Sequence, residues 1–420
     1  MGKGLTSILF IDTSLGLDHA LRLGREVNVY YFAEWRLGGP YVQDWLVGVG
    51  FDAFSPFLMR SADYLKTFLH EKIDIVFVAD SGFGTVGDFF RKFQDVEVFG
   101  PSEGSDKLEL SREWSYTKMR EYDIKTPNYQ KVVGVDALID AVKERSGEVF
   151  VKVSSFRGNF ETCRVSDVRD LYTALGNSGY GPLKEDVVFL VSDKIEGVEV
   201  GIDLWWTGKE FVRPYHLGNK VKNRGCFGKW VYDSSWDEVL GRFENLLKAK
   251  AKAFRGEISF EAIFNEEGFH VLDVTPRLVR PAGSLMYYSL EDDYYPVIQS
   301  IAVGDSPEAN VKAGYTAQVN MVHDYGWVKV CDVDDLREEI ALTGRAMVVG
   351  GSVYIHTNET HGSSLVSCLG IGKSAEESAV RAYDVATRLA MYGEMNIVSG
   401  AWQKYTEEYL PRMSKFGYEW

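Results

Sequence analysis

The chain has 420 residues, of which 45% are hydrophobic and 25% charged, a composition typical of a globular protein with about two to four domains. Acidic residues outnumber basic ones by 61 to 46, which gives a net charge of −15. This balance argues against a binder of nucleic-acid backbones, because no basic excess exists to release counterions. A small anionic ligand is still compatible with it, through locally clustered lysines and arginines.

Neither cysteine usage nor hydropathy favours a secreted or membrane protein. Cys163, Cys226, Cys331 and Cys368 form no closely spaced pair, so we expect reduced thiols in a cytoplasmic protein and no zinc site. We also expect no membrane span or signal peptide, because no apolar run reaches about 18 residues. The expected assembly is a monomer or homodimer.

The first hundred residues alternate apolar strands with helical segments. The predicted strands are Ser7–Asp12, Glu26–Phe32, Ile73–Asp80 and Val96–Phe99, and the predicted helices are 18–22, Ser61–Glu71 and Phe83–Phe93. This alternation predicts an open, mostly parallel α/β sheet. No GxGxxG follows the first strand, so a dinucleotide-binding function loses its main support.

The middle of the chain continues as mixed α/β and begins with one long helix, Ser102–Tyr122. The strands predicted after it are 129–133, 148–153, 186–191 and a strand ending at Trp206, and the helices are 135–145, 166–176 and Ser235–Phe254. From Gly314 the pattern predicts the strand Gln318–Met321, the helix Asp334–Leu342, the strands Ser352–Ile355 and Val366–Ile371, and the helix Ser374–Ala390. The fold class is therefore α/β, or α+β for the chain as a whole.

Lys152 interrupts the apolar strand Val149–Val153. Lysine is rarely buried without a partner, so this position implies an anion nearby; the alternative is a lysine on the solvent face of a half-exposed strand. The small polar loop that follows contains Ser154, Ser155, Arg157 and Gly158. Its backbone N–H groups suit a triphosphate, whereas the GxxxxGK[ST] phosphate loop is absent.

Two further polar features precede the next helix. Glu199 lies two residues after Gly197, where a carboxylate can accept hydrogen bonds from ribose hydroxyls, and the backbone of 191–195 offers the donors and acceptors that adenine needs. Lys220, Lys222 and Arg224 cluster in a glycine-containing segment that we interpret as a basic loop. Both an anion site and a solvated loop fit that cluster.

The segment from Gly256 to Arg277 predicts a β-hairpin with two carboxylates on one face. If the loop is 266–268, residue 265 pairs with 269, and Glu261 then stands opposite Asp273 with Thr275 on the same face. Opposed carboxylates repel, and a divalent cation removes that penalty; ligands that are all oxygen suit Mg²⁺. The alternative is an exposed hairpin whose acids point to water. Just beyond it, Arg277 and Arg280 suit carboxylate or phosphate recognition.

These features occur in the order found in the ATP-grasp superfamily, and the chain most resembles phosphoribosylamine–glycine ligase. Val98–Ser102, Leu108–Arg112 and Ile124–Pro127 resemble that family's "fGPs…LEgSK…IPT" segment, and Leu365–Tyr383 is similar to its C-terminal domain. The resemblance implies an ATP-grasp fold in three parts. They are a Rossmann-like pre-ATP-grasp domain (1–105), an ATP-grasp domain (106–313, with a mobile lid at about 117–192) and a small C-terminal domain (314–420).

The resemblance also implies roles for individual residues. Arg112 stands where the family has a phosphate-binding lysine, Lys152 matches the second nucleotide lysine and Glu199 the ribose-binding acid. The implied ATP site is Arg112, Lys152, Ser154, Ser155, Arg157, Gly158, Ser192, Asp193, Ile195, Glu199 and Lys220. The implied metal ligands are Glu261, Asp273 and Thr275, where threonine replaces the family's asparagine. Arg277 and Arg280 are the implied catalytic residues, and the implied cofactors are ATP and Mg²⁺, with Mn²⁺ as an alternative ion.

The departures from the family cluster where the substrates other than ATP bind. The flap reads Arg157–Asn159 in place of Gly-Lys-Gly, the "GGMG" turn is missing, and the closing "GDPE" becomes Val279–Ala282. We therefore expect an ATP-dependent carboxylate–amine ligase that forms an acyl phosphate and uses small molecules other than glycine and phosphoribosylamine. The alternatives are a non-catalytic nucleotide-binding protein, phosphate transfer without amide formation, or phosphoribosylamine–glycine ligase itself.

Overall fold

The computed structural model describes residues 6–13, 16–33, 46–145, 147–154, 162–178, 185–221, 224–232, 234, 236–280, 282–323, 326–356, 366–393 and 395–416. Within these residues the chain forms four β-sheets with helices packed against them. Among the same residues no helix has the length and apolar character needed to span a bilayer.

The first sheet is five-stranded and parallel, which confirms the predicted open α/β sheet. Its strands are β1 (Ser7–Asp12), β2 (Asn28–Ala33), β3 (Leu58–Arg60), β4 (Ile75–Val78) and β5 (Glu97–Phe99), accompanied by helices α1 (Leu17–Leu23), α2 (Tyr64–His70) and α3 (Gly84–Phe90). The order β3-β2-β1-β4-β5 means that the chain leaves β1 toward one edge and later returns to its other side. In such a sheet a crevice opens between the carboxyl ends of the two strands at the switch, here β1 and β4.

The helix predicted over Ser102–Tyr122 is in fact two helices, α4 (Glu103–Leu110) and α5 (Arg112–Glu121). Ser111 separates them with a non-helical backbone (φ −130°, ψ 85°). The backbone N–H of Arg112 donates to the carbonyl of Ser154 at 3.1 Å, so a contact between distant segments replaces the helical bond. The break makes Arg112 the first residue of α5, with a buried side chain.

The second sheet is antiparallel and carries Lys152 near the end of a central strand. Its strands are β6 (Tyr129–Val133), β7 (Val149–Val153), β8 (Thr162–Val165) and β9 (Val188–Asp193), in the order β6-β9-β7-β8, with helices α6 (Val135–Lys143) and α7 (Val168–Ser178). Apolar residues of these strands and helices form a separate core. This unit lies within the predicted lid, whose boundaries stay a prediction.

A nine-stranded sheet forms the centre of the molecule. Its strands are β10 (Val198–Trp206), β11 (Tyr215–Val221), β12 (Gly225–Val231), β13 (Gly256–Asn265), β14 (Gly268–Thr275), β15 (Tyr315–Val322), β17 (Ile340–Leu342), β20 (Val366–Gly372) and β21 (Asn396–Ile397). Helices α8 (Asp237–Lys250), α9 (Gly283–Ser289), α10 (Tyr294–Val303) and α11 (Ala375–Ala390) complete this part. The interpretation of 216–225 as a loop was wrong, because most of it forms the hairpin of β11 and β12.

The C-terminal part adds a three-stranded sheet. It consists of β16 (Trp327–Asp332), β18 (Arg345–Val349) and β19 (Ser352–His356), and helices α12 (Ala401–Lys404) and α13 (Leu410–Lys415) follow. The helix predicted over Asp334–Leu342 was wrong: a 3₁₀ turn at Val333–Asp335 leads into β17, whose pairing with β20 outweighs local helix propensity. Because β15 pairs with β12, the central sheet runs across the predicted boundary at 314.

Candidate functional site

The hairpin of β13 and β14 places two carboxylates side by side, as predicted. Glu261 pairs with Asp273, and Thr275 pairs with Ser259 two positions along on the same face. The predicted loop was one residue too long, because Asn265 pairs with Gly268 and leaves Glu266 and Glu267 in the turn. A β-bulge at Leu272 restores the register by placing one extra residue in β14.

Asp273 pairs with two cations, one from the four-stranded antiparallel sheet and one from α5. The Nζ of Lys152 lies 3.0 Å from Asp273 Oδ2, and the guanidinium of Arg112 contacts Oδ1. Lys152 also donates to the carbonyl of Leu272 at 3.1 Å, and it is only 6% exposed. The structure therefore provides the anionic partner predicted for a buried lysine.

Electrostatics favours the charged forms of this cluster. Desolvation alone would raise the pKa of Asp273, but Lys152 and Arg112 outweigh it and lower that pKa below its ordinary value. Desolvation would likewise lower the pKa of Lys152, yet attraction to Asp273 raises it. Both side chains are therefore ionised at neutral pH.

Glu261 has a separate cationic partner, Lys220 of β11. The Nζ of Lys220 lies 2.5 Å from Glu261 Oε1. Desolvation would lower the pKa of Lys220, but Glu261 and then Asp203 raise it. Lys220 is thus brought into the predicted site, whereas its sequence neighbour Lys222 lies outside the described residues.

Glu199 lies on the face of the sheet that also carries Glu261, since Gly201 of β10 pairs with Glu261 and side chains alternate. Its side chain is exposed to solvent. Desolvation and the nearby Glu261 both raise its pKa, while Lys220 and Lys152 lower it. The site therefore joins three carboxylates to three cations: Glu199, Glu261 and Asp273, and Arg112, Lys152 and Lys220.

A fully buried polar pair, missed by the sequence reasoning, lies behind Lys220. His216 Nδ1 is 3.1 Å from Asp203 Oδ2, and its Nε2 is 2.8 Å from Thr316 Oγ1. Ser259 donates to the other oxygen of Asp203 at 2.6 Å. Desolvation would raise the pKa of Asp203, but the bond to His216 and the charge of Lys220 lower it. The sequence signal that could indicate Asp203 is the period-two alternation of β10, which places residues 199 and 203 on one face of the strand.

Replacing Asp203 with asparagine is expected to destabilise the fold by about 2–4 kcal/mol, because it removes the charge that His216 and Lys220 face in a buried setting. Urea unfolding at neutral pH measures this change. Asp140→Asn, which removes an exposed acid paired with Lys143 on α6, is the control and should change stability by less than about 0.5 kcal/mol. Equal effects of the two substitutions would contradict the role given to Asp203.

The remaining predicted ATP residues are less tightly gathered. Ser154 is buried, and its Oγ accepts the N–H of Glu113 at 3.3 Å, which ties the end of β7 to α5. Ser192 is buried and donates to the carbonyl of Phe150 at 3.4 Å, whereas the side chain of Asp193 pairs with Arg145. Ile195 is half-buried just after β9. Ser155, Arg157 and Gly158 lie outside the described residues.

The two predicted catalytic arginines lie at the junction with the first sheet rather than among the paired carboxylates. Arg277 Nε is 3.1 Å from Asp80 Oδ1, and its Nη2 is 3.0 Å from Glu109 Oε1. Arg280 donates to the carbonyl of Thr343 at 3.5 Å and lies close enough to Asp12 to oppose the rise in its pKa that burial causes. Asp12 is the last residue of β1, and Asp80 follows β4. Both arginines therefore face the crevice at the topological switch.

The turns after β1 and β4 are filled by the protein's own carboxylates. Asp12 Oδ2 accepts the N–H of Gly16 at 2.7 Å. After β4, Asp106 Oδ2 accepts the N–H groups of Gly82 at 3.0 Å and Gly84 at 2.7 Å. Backbone N–H groups in such turns are common phosphate ligands, and here Asp12 and Asp106 already accept those of Gly16, Gly82 and Gly84.

The carboxylates of the hairpin suit a hard divalent cation. Their oxygen ligands match Mg²⁺, which is usually bound through one or two carboxylates and substrate phosphates rather than an all-protein cage. No group of three acidic, histidine or cysteine side chains arranged for a metal occurs in the part of the chain that the structure describes. The residues present therefore fit a metal that arrives with a phosphate ligand.

A separate cavity of about 590 Å³ lies away from this cluster, where residues 53–54 meet 333–339. It is lined by three cations and three acids among other residues: Arg25, Lys312, Arg337, Asp334, Glu338 and Glu339. Because these charges balance, the cavity favours neither an anionic nor a cationic ligand.

Comparison with known proteins confirms the resemblance. No family model matches the chain. It is similar to the phosphoribosylamine–glycine ligases of Clostridium acetobutylicum (22% identity, covering 52% of this chain and 56% of the relative) and Thermotoga maritima (20% identity, covering 71% and 78%). A third such ligase, from Fusobacterium nucleatum, is covered over 62% of its length. The chain therefore spans less than two thirds of the length of the Clostridium and Fusobacterium relatives.

Solved structures establish the fold. The phosphoribosylamine–glycine ligase of Thermotoga maritima aligns with a TM-score of 0.68 at 16% identity, covering 93% of this chain and 97% of that one. An L-amino acid ligase from Bacillus licheniformis gives 0.59 at 12% identity (95% and 100% coverage). The biotin carboxylase domain of a Hydrogenobacter thermophilus 2-oxoglutarate carboxylase, solved with MgADP, ADP and bicarbonate, also gives 0.59 at 12% (94% and 91%). The chain therefore has the ATP-grasp fold.

Proposed function

We propose that this protein is an ATP-dependent ligase that joins a small-molecule carboxylate to an amine through an acyl phosphate. The observation that carries the proposal is the cluster in which Arg112, Lys152 and Lys220 meet Asp273 and Glu261 beside Glu199. Cations that bind phosphate and carboxylates that bind Mg²⁺ are the two halves of a nucleotide triphosphate site. The similarity to ligases and to a domain solved with MgADP supports the same proposal.

Each half of the cluster has a distinct role in this proposal. Lys152 and Arg112 hold the triphosphate of ATP, and Glu199 binds its ribose. Asp273 and Glu261 would hold Mg²⁺, with Thr275 beside them, and the chemistry the ion would supply is neutralisation of charge on the phosphates. Mn²⁺ can take the same oxygen ligands.

The proposed reaction has two steps. An oxygen of the substrate carboxylate attacks the γ-phosphorus of ATP, and the bond to ADP breaks to give an acyl phosphate. The amine nitrogen then attacks the carbonyl carbon, loses a proton to solvent or a base, and expels inorganic phosphate to leave an amide. In this scheme Arg277 or Arg280 orients the carboxylate or stabilises the oxyanion.

The crevice between β1 and β4 supports an acceptor other than phosphoribosylamine. The backbone N–H groups that would bind a ribose phosphate there are taken by Asp12 and Asp106. A further acid, Asp80, lies 3.1 Å from Arg277 in the same crevice. A phosphate in this crevice would find these backbone donors already bonded, so its recognition would depend on Arg277 and Arg280.

A two-stage experiment tests the proposal. Thermal-shift titration with Mg²⁺ and ATP should raise the melting temperature only when both are present, because ligands that bind the folded state stabilise it. A screen of carboxylates and amines should then find ADP release that requires one of each. Repeated turnover to ADP with an acid alone, with no amide formed when amines are added, would indicate phosphate transfer without amide formation and contradict the ligase proposal.

A non-catalytic nucleotide-binding protein is the second candidate. Only two carboxylates meet at the metal position among the described residues, and Thr275 provides a neutral hydroxyl beside them. Stabilisation by MgATP with no ADP release across the full screen would favour this candidate.

A further inference from the structure

The metal position in this structure is occupied by the protein's own cations. Lys220 lies 2.5 Å from Glu261, Lys152 lies 3.0 Å from Asp273, and Arg112 contacts the other oxygen of Asp273. These contacts use both oxygens of Asp273 and Oε1 of Glu261. A divalent cation on the carboxylates must therefore displace one of these bonds or share a carboxylate with a neighbouring cation that repels it.

Charge balance makes that displacement unfavourable for a metal ion alone. Glu261 and Asp273 already face cations, so a lone divalent ion adds two positive charges beside those cations and brings no negative charge with it. A triphosphate brings negative charge that compensates both the metal and the displaced cations. The cluster thus discriminates between a bare metal ion and a metal–nucleotide pair.

Lys220 is the cation best placed to control this step. It is the charged partner that the structure gives Glu261, whereas Asp273 has both Lys152 and Arg112. Lys220 is also attracted to the fully buried Asp203 behind it. If Glu261 binds a metal, Lys220 still has the negative charge of Asp203 nearby. This lowers the free-energy cost of replacing the Lys220–Glu261 ion pair by a metal–Glu261 bond.

We propose that Lys220 excludes divalent metal from Glu261 until a nucleotide triphosphate arrives, so that metal and nucleotide enter the site together. This inference rests on the proposed function, because it takes the cluster to be a MgATP site. It adds a specific role for Lys220, which suppresses binding of free metal and promotes binding of nucleotide.

The test is the affinity of the Lys220→Met variant for Mn²⁺ without nucleotide, measured by electron paramagnetic resonance of the free ion. Removing the ammonium should tighten Mn²⁺ binding by at least about tenfold, since it frees a carboxylate from a charge-assisted bond. The same variant should bind the non-hydrolysable analogue AMPPNP with Mg²⁺ at least about tenfold more weakly in calorimetry, because a phosphate-facing cation is lost.

Two controls separate this role from general damage. Lys248→Met removes an ion-paired lysine from the surface of α8 and should change neither affinity. Glu261→Gln combined with Lys220→Met should abolish the gain in Mn²⁺ affinity. If the methionine variant fails to fold, Lys220→Gln provides the same comparison.

The outcomes distinguish this inference from the proposed function. Opposite changes in metal and nucleotide affinity would support it, whereas a merely structural defect would weaken both. Unchanged or weaker Mn²⁺ binding in the folded variant would overturn it, even with nucleotide binding intact in the wild type. Failure of the wild type to bind nucleotide with Mg²⁺ would instead overturn the proposed function.

Discussion

Replacing Lys152 with methionine is expected to lower ATP turnover by at least about 10²-fold and to weaken nucleotide binding, while the fold is kept. The ammonium group of Lys152 is nearly inaccessible to solvent and lies 3.0 Å from Asp273. A triphosphate would therefore bind a lysine side chain that is already desolvated. Removing one such preorganised charge from a phosphoryl-transfer site commonly costs about 10²- to 10³-fold in rate. Calorimetry with MgAMPPNP measures the binding part before any substrate is known.

The stability of the Lys152→Met variant should fall by only about 1–2 kcal/mol, since Arg112 continues to face Asp273 and the unbranched methionine side chain fills most of the space. Lys131→Met is the matched control: it removes a lysine of the same sheet, which pairs at the surface with Glu113 at 2.9 Å. The control should leave nucleotide affinity unchanged. Nucleotide binding that survives in Lys152→Met would remove this lysine from the proposed site.

Replacing Asp273 with asparagine should abolish turnover and also destabilise the protein by about 2–4 kcal/mol, because Lys152 and Arg112 would then face each other without an opposing charge. Urea unfolding and the ADP-release assay measure the two effects. Asp140→Asn, at an exposed pair on α6, is again the control.

The difference in stability between wild type and Asp273→Asn should depend on pH in a defined direction. The folded pKa of Asp273 lies below the ordinary value of 3.8, because the two cations outweigh desolvation. Its contribution is therefore fully present above pH 3.8 and is lost as the pH falls through the lower, folded value. The difference should be greatest at neutral pH and shrink at more acidic pH. A difference that is constant with pH would show that charge is not the cause.

The most local patterns were the most reliable part of the sequence reasoning. The alternation of strands and helices predicted the first sheet, and period-two alternation placed Glu261, Asp273 and Thr275 on one face. Lys152 was recognised because a lysine in an apolar strand needs a partner. The family resemblance then indicated Arg112, which the structure brings to Asp273.

Features that depend on distant contacts were not accessible from the sequence. Nothing local separates α4 from α5, because the break at Ser111 rests on a hydrogen bond from Arg112 to Ser154. The local pattern at β17 predicts a helix, because the strand that pairs with it, β20, lies more than twenty residues along the chain. Likewise, Asp203 and His216 are ordinary residues of two strands until pairing places them behind Lys220.

The bulge at Leu272 has a consequence for how this hairpin tolerates changes in length. Because the extra residue in β14 compensates for a short turn, Asp273 keeps its place opposite Glu261 while the connection varies by one residue. A one-residue insertion at the turn, with loss of the bulge, would restore the regular hairpin. That trade would take away the carbonyl of Leu272 that both Lys152 and Tyr116 use as an acceptor. The bulge therefore allows the turn of the hairpin to change in length while Glu261 and Asp273 stay paired.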